Sequence, residues 1–559
     1  MALLRKLSSI YVCFASFLLV FPFSHSPALA QTTPPMLPGF VDMHTHPRND
    51  LAFGNELFYG VPYGNIDQAL GNCNGYHGGY GLFDNPHGNV FRNKLVQEGE
   101  SQYCKTEDHE KFGYPNFISW PAYCSIFHQQ MWIDWIERAH MGGLNIMVAL
   151  ATHSHCMADA AETSGPYDDK TVMDNSIKGI KDLVANSSFM EVALTPQDVR
   201  RIVNNGKLAV IIGVEMDNIG NFYSPTEKKG GVYNPNPTND DIKTELDRLW
   251  DLQVRYIFPI HVTNNIFGGT ALYVPTFNVA NKYNTGFEYI PEPINTKESN
   301  IGFDLEHPIL HTNPEADFLA WVALDAVDGI LPEIVNPSTK TNYTFWKINP
   351  GEGHRNSLGL TDKGRFGIKY MMQKGFLIDV DHMSEKCVNE VLDFAIKNDY
   401  PVNSGHNEFR EEEGNENNRT INQYKLIKQT GGMIGLGHSE VANKFVERFR
   451  RAIEVMDYSN VAIGTDVNGL FPLPRPDTSI AVVYDNMVLK KCATGNRTWD
   501  INTDGFAHYG LFPDYIKSWE KAGMTMKEKD IFMSSAEYFT RMWEKCESKK
   551  TTIEAWPHE

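Results

Sequence analysis

Eight short runs of apolar, largely β-branched residues recur between residues 39 and 466, and nearly all of them stop at a titratable side chain. The runs are Gly39–His44, Leu144–Leu150, Leu208–Glu215, Val254–His261, Phe376–His382, Tyr400–His406, Gly432–His438 and Val461–Asp466. Continuous apolar runs of this length suit strands buried on both faces of a parallel sheet. Helical segments fill the gaps, with boundaries that follow from capping chemistry. Thr195-Pro196 with Asp198 opens a helix that stops near Gly206, Thr361-Asp362 opens one ending at Gly375, and Ser384-Glu385 opens a third. Strand–helix alternation repeated eight times predicts an α/β chain folded as a (β/α)8 barrel. The expected organisation is a single barrel domain over residues 31–559, with a C-terminal helical segment from about Lys527 to Cys546. Two connections are long, near 47–128 and 264–357, and both follow strands, so both should rise over the active-site face.

In a barrel the carboxyl ends of the strands share one face. Seven of the runs end in His, Glu or Asp, and the other continues into His153 and His155. One buried histidine is ordinarily a structural hydrogen-bonder. Nearly all of them together require partners or metal ions, because isolated charges are costly to bury. His44-Thr-His46 is the pivot, since strand residues at i and i+2 point to the same side and can grip one ion. Glu215 offers two oxygens and can bridge two ions, His382 and His406 are nitrogen ligands for a second, and Asp466 can bind the first and exchange a proton. Nitrogen and oxygen donors without thiolates suit two divalent ions, zinc first, with manganese or iron as alternatives. A bridging hydroxide is the nucleophile such a pair would hold.

The order and context of these residues resemble the membrane (renal) dipeptidase family of the amidohydrolase superfamily. The resemblance rests on Gly213-Val-Glu215, Val254–Asn264, Gly359–Gly364 leading to Leu377–Ser384, Pro401–His406 and Ile463–Asp466. It implies a metal-dependent dipeptidase in which His44, His46 and Asp466 hold one ion, His382 and His406 the other, and Glu215 both. It also implies that His261 steadies the substrate carbonyl, and that Arg419 takes the substrate's terminal carboxylate. The family usually carries an acidic residue where this chain has His46, so this site is one charge less negative.

Arg5 and Lys6, the apolar run Ile10–Phe23 and Ala28-Leu29-Ala30 read as an export signal over residues 1–30. The expected location is therefore periplasmic or extracellular, and the run is short for a stable membrane span. Removing the signal leaves 48 Lys+Arg against 69 Asp+Glu, a formal charge of -21, which excludes nucleic acid as a partner. No CxxC pair occurs, so a cysteine zinc site is not expected, whereas disulfides are expected among Cys73, Cys104 and Cys124. The expected partner is a small molecule, a dipeptide or similar amide; a homodimer is compatible with the sequence. Two other classes fit the same residues: a hydrolase of another small amide, lactone or ester, and a non-catalytic exported binding protein.

Overall fold

The computed structural model describes residues 36–73, 113–302 and 351–557, apart from 119, 162, 275–276 and 488. The export signal, Cys104 and parts of both long connections lie outside these residues. The described residues from Leu37 onward form one compact unit.

All eight apolar runs are strands, and all pair in parallel. We number them β1 (Phe40–Thr45), β2 (Leu144–His153), β3 (Leu208–Met216), β4 (Tyr256–Phe258), β5 (Leu377–Ile378), β6 (Ser404–Asn407), β7 (Ile434–Leu436) and β8 (Val461–Ile463). Each pairs with its neighbours in sequence, and β1 pairs with β8 through Asp42 and Ile463. The longest ladder joins β2 to β3, from Ile146 opposite Ala209 to His153 opposite Met216. The ring closes between β5 and β6 on a single bridge, Asp379 to Asn403. There the Asn403 amide donates to the Ile378 carbonyl (2.9 Å) and the Val380 amide to the Asn403 carbonyl (2.8 Å). A short extra strand, Met190–Val192, pairs with the start of β3.

Every residue of β1 and β3 is buried, as expected for strands lined by a packed lumen on one side and helices on the other. The helix starts follow their caps. Thr195, Thr361 and Ser384 each accept a backbone amide at the first turn, of helices Pro196–Asn204, Asp362–Lys374 and Glu385–Lys397. Gly375 ends the second of these in the left-handed region (φ 92°), which a Cβ would oppose. The C-terminal segment is three helices, Phe512–Lys521, Met526–Phe532 and Ser535–Lys549. The last returns to the foot of β1, where Ser535 Oγ accepts the Val41 amide and Glu537 accepts that of Leu37.

The connection after β4 crosses the strand ends as Thr270–Tyr273, and within it Pro291–Asn295 pairs antiparallel with Glu352–Asn356. Cys124 is disulfide-bonded. Cys156, Cys387, Cys492 and Cys546 are buried thiols. Among the described residues, no helix is long and apolar enough to cross a membrane.

Candidate metal centre

The pleat of β1 aims Asp42, His44 and His46 to one side, and the last two reach the mouth of the barrel. Their Nε2 atoms lie 3.0 Å apart. Glu215, near the end of β3, places Oε2 at 3.1 Å from His44 Nε2 and 3.2 Å from His46 Nε2. Asp466, just beyond β8, places Oδ1 at 3.5 and 3.1 Å from the same two nitrogens. The other oxygen of Glu215 faces the opposite way. Its Oε1 is 3.0 Å from His382 Nε2 and 3.9 Å from His261 Nε2. His382 Nε2 in turn lies 3.0 Å from His406 Nε2. One carboxylate thus faces two clusters of imidazoles.

Donor atoms about 2.1 Å from a tetrahedral ion would stand roughly 3.4 Å from one another. The contacts among His44, His46 and Asp466 run from 3.0 to 3.5 Å. This is the spacing of a ligand set around an ion, and the three form one of the groups able to hold a metal. Glu215, His261 and His382 form another, and His44, Glu215 and His406 a third. The residues present therefore fit divalent ions, and the six expected ligands come together in one place. His261 stands at the edge of that ligand set, with Nε2 3.9 Å from Glu215 Oε1.

Burial would lower His46, but hydrogen bonds to Asp466 and Glu215 outweigh it and raise the ring to about 9. Burial likewise opposes protonation of His406, yet Asp381 raises it to about 10. His44 and His382 are lowered to about 4, chiefly by burial. Burial would raise Asp466, but the His46 hydrogen bond and the charges of His44 and His46 hold it down to about 2. Its carboxylate keeps 27 % of its surface open, far more than the other ligands of its cluster.

Behind the ligands stands a row of partners that the sequence reading did not identify. Asp217, two residues past Glu215, accepts a hydrogen bond from His261 Nδ1 at 2.9 Å. Asp381 accepts the His406 amide (2.9 Å) and the Asn407 side chain (2.9 Å), and lies 3.1 Å from His406 Nδ1. Asp42 accepts the Thr465 amide (3.0 Å), the Thr465 hydroxyl (2.6 Å) and the Tyr509 hydroxyl (2.9 Å), joining the roots of β1 and β8. Such partners fix ring orientation and tautomer in metal sites. An i, i+2 count from Glu215 would have found Asp217; nothing local marks Tyr509. Two ligands, His382 (φ 64°) and Asp466 (φ 51°), hold left-handed backbone, which costs a non-glycine residue roughly 1–2 kcal/mol. Side chains held against that cost point to a functional constraint.

Arg419 stands beside Asp381, the partner of His406. Its guanidinium is fully buried, with Nε 3.7 Å from Asp381 Oδ1 and no hydrogen bond to any of its three nitrogens. Solvent does not reach it. His153 accepts the Phe53 amide and bonds the Tyr167 carbonyl, and His155 bonds Tyr223, so both are structural. His438 contributes to none of the three ligand groups.

With the geometry in hand, likeness to known proteins can be placed on it. Residues 342–477 match the model of the membrane dipeptidases, Peptidase family M19. Over that stretch, about a quarter of the chain, the sequence is similar to the membrane dipeptidases. The M19 stretch contains His382, His406, Arg419 and Asp466, while His44, His46, Glu215 and His261 lie upstream of it. No curated protein sequence matches the chain. Among solved structures, an amidohydrolase from Pseudomonas aeruginosa is 14% identical, covering 74% of this chain and 92% of its own, with a TM-score of 0.42. A metallopeptidase from Rhodobacter sphaeroides, liganded with a phosphinate mimic of the dipeptide L-Ala-D-Ala, is 14% identical over 73% and 89%, with a TM-score of 0.44. Dipeptidase AC, a family M19 metallopeptidase, is 12% identical over 83% and 96%, also at 0.44.

Proposed function

We propose that the chain is an exported binuclear metal-dependent hydrolase that cleaves the amide bond of a dipeptide or similar small amide. The observation that carries this reading is Glu215, with one oxygen on the His44–His46 cluster and the other on His382. His44, His46 and Asp466 would hold one ion, His382 and His406 the other, and Glu215 both; zinc suits the donor set. Ions there supply polarisation of the scissile carbonyl and acidification of water.

The chain's own residues do the rest. Asp466 is ionised and the most open of its cluster, so it can take a proton from the attacking water and return it to the leaving amine. Burial disfavours a charged His261, but Glu215 and Asp217 outweigh it and raise its pKa. With Nδ1 held by Asp217, a charged His261 would present Nε2–H to the carbonyl oxygen as negative charge develops there. Arg419, whose three guanidinium nitrogens lack hydrogen-bond partners among the described residues, would take the substrate's terminal carboxylate.

The test is metal content of the purified mature protein together with hydrolysis of a dipeptide panel before and after chelation. Close to two ions and chelator-sensitive cleavage are expected. Two ions without dipeptide cleavage would move the substrate to other amides or lactones, and failure to take up any ion would overturn the reading. Export predicts a secreted chain whose first residue is Gln31, read by N-terminal sequencing; a retained Met1 would refute it.

A further inference from the structure

His382 is the one histidine of the centre whose rear nitrogen meets a residue from the long connection after β4. Its Nδ1 lies 2.8 Å from the Tyr273 hydroxyl. The same four-residue segment grips the His382 backbone. The Thr270 hydroxyl donates to the His382 carbonyl (2.9 Å) and also faces the His261 carbonyl (2.5 Å). The Ala271 amide donates to the His382 carbonyl at 2.7 Å. From the other side, the His382 amide donates to Asn417 Oδ1 at 2.9 Å. The segment is anchored in turn, since the Leu272 amide donates to the buried carboxylate of Glu416 (2.7 Å). Glu416 also accepts the amides of Asn356 and Glu385, at 2.8 Å each. The connection and the helix after β5 are therefore tied to one carboxylate.

We propose that Thr270–Tyr273 is the positioning element of the second metal half-site, with Tyr273 the residue that sets the tautomer of His382. His382 Nε2 points at Glu215 Oε1 and at His406 Nε2, each 3.0 Å away. To bind an ion there, Nε2 must be bare, so the proton of the neutral ring belongs on Nδ1 and is donated to the Tyr273 oxygen. His261 and His406 have carboxylates behind them, Asp217 and Asp381, whereas His382 has a neutral phenol. It is thus the less basic ligand of its pair, and the ion it shares is the one most sensitive to loss of its partner. The Tyr273 ring also packs on Phe277, with centroids 5.3 Å apart, so removing only the hydroxyl leaves the ring in place.

This inference rests on the binuclear reading above. The experiment titrates full-length mature wild type and Tyr273→Phe, freed of metal, with zinc against a chromophoric chelator that resolves two affinities. The expected result is two ions in wild type, and in Tyr273→Phe one affinity weakened about 10–100-fold with the other within twofold of wild type. Equal affinities in both proteins would overturn the inference, and so would a parallel loss at both sites, which would mark Tyr273 as serving the fold in general. A wild type that takes up no zinc would instead overturn the metal-centre reading.

Discussion

At the scale of single residues, the centre divides its labour by what stands behind each ligand. His46 and His406 are pushed up to about 9 and about 10 in the metal-free protein, so both rings carry a proton at neutral pH. Their raised values stabilise the metal-free fold fully below the ordinary histidine pKa, and that contribution is lost as pH rises through 9 to 10. Metal uptake runs the opposite way, because an ion must displace those protons. Saturating the site with zinc near pH 7 should therefore release about two protons per chain, with affinity falling as pH drops. Calorimetry in buffers of different ionisation enthalpy measures this directly; no release would mean the rings are neutral without metal. Asp466→Asn keeps an oxygen for the ion but removes the base. It should retain both ions while turnover falls about 100-fold or more, and near-normal turnover with both ions bound would reject the proton-shuttle role.

At the scale of elements, the close approach of β6 and β8 depends on glycine. A Cβ at Gly464 would lie 2.0 Å from the Gly405 carbonyl oxygen and 2.8 Å from His406 Cβ. Gly464→Ala must push β6 aside, costing roughly 1–3 kcal/mol as overpacking does, and should displace His406. A lowered Tm with loss of one ion is the expected result; unchanged metal content would show that β6 moves without carrying its histidine. Most of the elements were legible in the sequence because barrel strands such as β1 and β3 are buried on both faces and so read as largely apolar runs. The ligands were legible because strand ends share one face. The partners behind them were not: Tyr273 stands 109 residues from His382, and Tyr509 stands 467 from Asp42. Sequence spacing carries no information at such separations. Arg419 illustrates the same limit, since its segment reads as a polar loop and yet packs its guanidinium out of reach of water.

At the scale of the whole molecule, the ring is uneven. Its strongest ladder runs eight residues along β2 and β3, while closure between β5 and β6 rests on one bridge beside a two-residue strand. Local opening takes the route with fewest backbone bonds. Amide exchange of metal-free protein should therefore be faster at Asn403 and Val380 than at the β2–β3 amides, and binding of ions should slow the first pair selectively. Uniform protection around the ring would contradict this.

On the binuclear reading proposed above, that thin closure would give a second ion a mechanical duty. His382 follows one lip of the gap and His406 lies on the other, with Nε2 atoms 3.0 Å apart. An ion gripped by both is a clasp on a bracelet, fastening the circle where the weave of the backbone is sparsest. Stripping the metal would then leave a bracelet undone at its catch, with every link intact, and refastening would need no more than the return of the ion.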